Sequence, residues 1–130
     1  MNLSDLIVEF ETDISNIKLS NLATIGVHHL DISQYIIKNF NITNVIDQFD
    51  PERDIFTSQQ DLVSDSKMDT LIQFIYSQKV KIYPPILELA GNQLIIRDGK
   101  HRIGLCWHLN YEEIPFLIRK SNSSILHRIL

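Results

Sequence analysis

The spacing of hydrophobic and polar positions changes several times along the chain, and each change predicts an element. Leu6-Ile7-Val8-Glu9-Phe10 is too short for periodicity to separate a strand from the first turns of a helix. Ile14, Ile17, Leu19, Leu22 and Ile25 recur at mixed spacings that fit a weak helix over 14–25. Ile32, Tyr35, Ile36 and Phe40 fall on one helical stripe behind Asp31, a good N-cap, and predict a helix through Asn39. Ile42, Val45, Ile46 and Phe49 repeat that pattern loosely up to a turn at Asp50-Pro51-Glu52-Arg53. The first part of the chain therefore reads as helical.

The second part has sharper punctuation. Phe56 to Val63 is polar with isolated apolar anchors. Ser64 or Ser66 then opens an amphipathic helix with Met68, Leu71, Ile72 and Ile75 on one face and Lys67, Thr70 and Gln73 on the other. Tyr83-Pro84-Pro85 forbids helix and leads an extended chain into Ile86–Leu89, with Glu88 as its polar member. Gly91-Asn92 suits a two-residue hairpin turn, so 86–89 should pair antiparallel with 93–97. A helix from Lys100 through Leu109, a core strand at Ile114–Ile118 and a closing helix over 121–130 complete the expectation. The fold class expected is α+β: a small mixed sheet flanked by helices, with a helical N-terminal part.

Composition narrows the function classes. At 130 residues the chain is one domain, large enough to bury a core without metal or disulfide staples. A formal net charge of −4 opposes a surface built to displace counterions from DNA, so DNA is not expected as a partner. The single Cys106, the lack of a basic leader with an apolar core and the lack of a spanning apolar run lead to the expectation of a cytoplasmic protein without a membrane partner. His28-His29, and the pair Cys106 and His108, have poor geometry for a shared metal and read as structural.

The candidate chemistry is concentrated in Ile95-Ile96-Arg97-Asp98-Gly99-Lys100-His101-Arg102-Ile103. A strand stops at a glycine and three basic side chains open a helix. The first amides of a helix lack intrahelical partners and carry partial positive charge, which suits phosphate. Gly99 permits close backbone approach, Lys100 adds a mobile charge, Arg102 a planar fork, and His101 a group able to donate or to titrate near neutral pH. Lys67 and Thr70, one helical turn apart, can address one ligand together. Asp98 reads either as a general base or as a turn former and cap.

Taken with its flanks, this stretch resembles the ParB/sulfiredoxin superfamily, in the branch with a D-G-x-H-R turn. The order of that family is an extended segment, a strand, the turn, a small-residue helix and an Ile-Pro strand. Here it reads Tyr83 to Leu89, Gly91-Asn92, Leu94 to Arg97, Asp98-Gly99-Lys100-His101-Arg102, the following helix, and Glu113-Ile114-Pro115-Phe116-Leu117-Ile118. The resemblance covers 54–120, preceded by a divergent helical part over 1–53 and followed by the helix at 121–130. It implies a single domain that binds ATP or CTP with Mg²⁺. Phosphates would lie on Gly99, Lys100, His101 and Arg102, and Lys67 and Thr70 match a lysine and hydroxyl that sulfiredoxins direct at the nucleotide. Phe74 replaces a further hydroxyl of that helix.

The resemblance does not extend to sulfinic acid reduction, because Lys100 stands where sulfiredoxins carry their cysteine. ParB partition proteins also need a DNA-binding helix-turn-helix and a dimerisation segment, which these residues leave no room for. Relatives with the D-G-x-H-R turn include kinases of free serine, which would give Asp98 and His101 catalytic roles in hydrolysis or in phosphoryl transfer to a small hydroxyl acceptor. The alternative is a non-catalytic accessory protein of a mobile element or DNA-processing system built on the same fold.

Overall fold

A computed structural model describes residues 3–18, 31–49, 66–78 and 81–130. Four strands form one mixed sheet: β1 (Tyr35–Asn41), β2 (Ile86–Ala90), β3 (Gln93–Asp98) and β4 (Glu113–Arg119), in spatial order β1-β4-β2-β3. Among the described residues four helices accompany them: α1 (Ile42–Ile46), α2 (Ser66–Gln78), α3 (Lys100–His108) and α4 (Ser123–Ile129). This is the α+β class expected.

The hairpin falls where Gly91-Asn92 predicts it, with Gly91 at φ +65° and Ala90 paired to Gln93. β4 joins the hairpin by parallel pairing with β2, Ile86 opposite Leu117 and Leu87 opposite Ile118. The Pro85 carbonyl accepts from Leu117 N at 2.8 Å and extends that contact to the proline segment. Helices α2, α3 and α4 begin within a residue or two of their predicted starts.

The first part differs from its expectation. Asp31 does cap, accepting from Ser33 N at 3.0 Å, but the element it starts is a single 3-10 turn, Ile32–Gln34. The chain then becomes β1, paired antiparallel with β4 from Tyr35 opposite Arg119 to Asn41 opposite Glu113. The helical stripe was real as a pattern and wrong as an element, because both faces of β1 contribute residues to a core. Tyr35 enters one core and Phe40 the other, which removes the polar alternation that marks a half-exposed strand. Only the 3-10 turn Ile14–Asn16 forms in the described part of the predicted 14–25 helix, after which Ile17 is extended and buried. Residues 19–30, with His28-His29, and 50–65, with the predicted turn and the Phe56 to Val63 stretch, lie outside the described residues.

Side chains alternate between the two sheet faces. The larger core holds Phe40, Leu87, Leu94, Phe116 and Ile118 under Met68, Ile72, Ile103, Leu105 and Leu126 of the helices. The smaller holds Tyr35, Ile86 and Leu117 beneath Ile17, with Ile14, Ile32 and Tyr83 packed around it. Residues 6–10 run extended along the edge of the larger core, where Ile82 N donates to the Glu9 carbonyl and Glu11 N to that of Ile82. No described helix is long and apolar enough to cross a membrane.

Candidate functional site

The turn predicted to hold phosphate is a strand-to-helix junction. Asp98 is the last residue of β3, Gly99 the N-cap of α3, and Lys100, His101 and Arg102 its first turn. Gly99 adopts φ +101°, a left-handed conformation, and as the N-cap it supplies no side-chain hydrogen bond to the helix. The N-cap position thus lacks the Ser, Thr or Asp oxygen that ordinarily serves the first amides.

Two contacts brace the junction against the segment before β2. A Cβ at Gly99 would lie 2.6 Å from Pro85 Cβ and 2.7 Å from Pro85 Cα, so the close backbone approach anticipated for a ligand is made to buried proline. Arg102 places Nη2 2.8 Å from Asp98 Oδ2 and donates from Nη1 to the Tyr83 carbonyl at 2.6 Å. Its side chain is 12% exposed and that of Asp98 14%. Burial pushes the guanidinium towards losing its proton and Asp98 opposes this, so the ion pair compensates a charge held away from water. Both terminal nitrogens of the fork are thus engaged within the protein.

Lys100 and His101 are half-buried at the same junction, and His101 Nε2 is buried without a hydrogen bond among the described residues. Lys67 and Thr70 sit on the exposed side of α2, whose inner side buries Met68, Ile72 and Ile75. α2 and α3 touch, yet no hydrogen bond or ion pair among the described residues joins Lys67 or Thr70 to the turn. Thr70 donates instead to the Ser66 carbonyl, 2.9 Å away. Phe74 is largely exposed.

Cys106, one helical turn beyond Arg102, is fully buried, and burial pushes its thiol up to about 12 against a smaller opposing effect of Arg102. A raised thiol pKa stabilises the folded state below the free-thiol value of about 8.5. That contribution is lost as pH rises from there towards 12. The native protein should resist an aromatic disulfide reagent at pH 8 and react fully once unfolded in urea. Fast labelling without urea would show that α3 opens readily.

A second polar cluster was not singled out from sequence. Glu88 of β2 is 6% exposed and is the only buried charged residue among those described. Its Oε1 accepts a hydrogen bond from the Tyr35 hydroxyl and lies 3.3 Å from Arg119 Nε, while Oε2 lies 3.8 Å from Arg97 Nη1. Arg119 also stands over the Tyr35 ring at 5.2 Å and donates from Nη1 to Gln34 Oε1 at 2.9 Å. Burial, and then Glu88, hold the Tyr35 hydroxyl above the ordinary phenol range. The sequence signal was Glu88 itself, a carboxylate in a strand whose neighbours Ile86, Leu87 and Leu89 are all apolar.

A groove between residues 5–9 and the end of α2, lined by Leu6, Ile7, Glu9, Ile75 and Tyr76, shares no residue with either cluster. No group of three His, Cys, Asp or Glu among the described residues is arranged to hold a metal ion. Comparison with known proteins returned no matching family model, no matching curated protein and no matching solved structure.

Proposed function

We propose that the chain is a nucleotide-binding module of the ParB/sulfiredoxin type, with the phosphates of ATP or CTP, and their Mg²⁺, received at the N-terminus of α3. The observation that carries this reading is the glycine cap. A helix start whose N-cap residue carries no side chain, next to Lys100, offers backbone donors and a positive charge to an anion. His101 adds a donor in the same turn, and Lys67 and Thr70 are carried on the helix packed against α3.

Binding fits the turn better than catalysis. Asp98 holds Oδ2 2.8 Å from Arg102 Nη2, so that oxygen can reach an acceptor hydroxyl only when the pair opens. Arg102 acts chiefly as a positioning residue that fixes the turn on Tyr83 and Pro85. A role without turnover, as an accessory or regulatory binding protein, is the form of the proposal that this pair favours.

Calorimetric titration of ATP, ADP and CTP with Mg²⁺ into the wild type and Lys100→Ala tests it. Lys100 is half-buried in the first turn of α3, and the circular dichroism of the variant checks that its fold is that of the wild type. Nucleotide affinity should fall about tenfold or more, the loss of one charge-assisted phosphate contact. Unchanged affinity in Lys100→Ala, or no binding by the wild type, would overturn the assignment.

A further inference from the structure

The hydrogen bonds of the three arginines near the sheet separate one structural residue from two with donors to spare. Arg102 gives both terminal nitrogens to protein acceptors. Among the described residues Arg119 gives only Nη1, to Gln34, and its Nε meets Glu88 as an ion pair. Arg97, 40% exposed, makes no guanidinium hydrogen bond among the described residues, and its approach to Glu88 is 3.8 Å.

Charge points the same way. Two guanidiniums face one carboxylate, and Oε1 of that carboxylate is shared with Tyr35. One arginine would neutralise Glu88. The second leaves a positive charge beside the smaller core of Tyr35, Ile86 and Leu117. Arg97 lies two residues beyond Ile95, the partner of Glu88, and so on the same sheet face, at a bulge where Ile86 pairs with Asp98 and Leu87 with Ile96.

We propose that Arg97 and Arg119, held on either side of the Glu88 carboxylate, bind a small oxyanion group, phosphate or carboxylate, on the sheet face opposite α3. Glu88 and Tyr35 set the spacing of the two forks, and the oxyanion supplies the negative charge that the pair lacks. Planar oxyanions match arginine forks through two parallel N–H to oxygen bonds. The site is separate from the glycine turn and does not depend on nucleotide binding there.

The test is NMR titration of inorganic phosphate and, separately, of succinate into the wild type and Arg97→Gln. Shifts of the Arg97 and Arg119 Nε–H signals are expected with at least one probe, and the stronger of the two identifies the oxyanion class. Arg97→Gln, on an exposed edge-strand position, should keep its amide spectrum and weaken binding about tenfold or more. No shift of either Nε–H with either probe, or affinity unchanged in Arg97→Gln, would each overturn the proposal.

Discussion

Arg102→Ala is expected to lower folding stability by about 3–5 kcal/mol, the usual effect of breaking a pair held away from water. The substitution leaves Asp98, 14% exposed, without its partner, and leaves the Tyr83 carbonyl without the donor that held it at 2.6 Å. Urea unfolding followed by circular dichroism reads the loss. Arg102→Lys keeps the charge but cannot reach both acceptors with one ammonium, and should lose roughly half as much. In a double-mutant cycle with Asp98→Ala, the two single losses should sum to clearly more than the double loss. A loss under about 1 kcal/mol in Arg102→Ala would show that the pair does not brace the turn, and would return the fork to the ligand.

Gly99→Ala should destabilise the fold by about 2–5 kcal/mol, because two costs add. A left-handed backbone costs a residue with a Cβ about 1–2 kcal/mol, and forcing a methyl into a filled space about 1–3. The space is filled by Pro85 Cβ at 2.6 Å and Pro85 Cα at 2.7 Å, and a backbone Cα cannot swing aside. The thermal midpoint should fall by roughly 10 °C. Gly99→Asn separates the two causes. Asparagine tolerates the left-handed region, so a loss as large as alanine's would assign the effect to contact with Pro85. Recovery by asparagine would assign it to φ +101° alone.

Most of the second half was legible from local features. Pro84-Pro85, Gly91-Asn92 and Asp98-Gly99 each demand one backbone conformation whatever surrounds them, so the strands, the hairpin and α3 could be bracketed between them. β1 was not legible. Its residues Ile32, Tyr35, Ile36 and Phe40 satisfy a helical stripe, and only pairing with β4, near the other end of the chain, selects a strand. The five turn residues were found together because they are contiguous. What Arg102 and Gly99 do there was hidden, since their partners Tyr83 and Pro85 belong to another segment.

By itself the sequence determined the α+β class, the breaks between elements, the absence of an internal disulfide and the gathering of basic residues at one helix start, since each depends on residue type and nearest neighbours. Tertiary structure alone decided that residues 35–41 are a strand, that Arg102 is spent on Asp98 and Tyr83, and that Tyr35, Glu88, Arg97 and Arg119 meet. Those four come one from each strand. Their meeting depends on register and sheet order, which are set by which surfaces bury one another and are written at no single place along the chain.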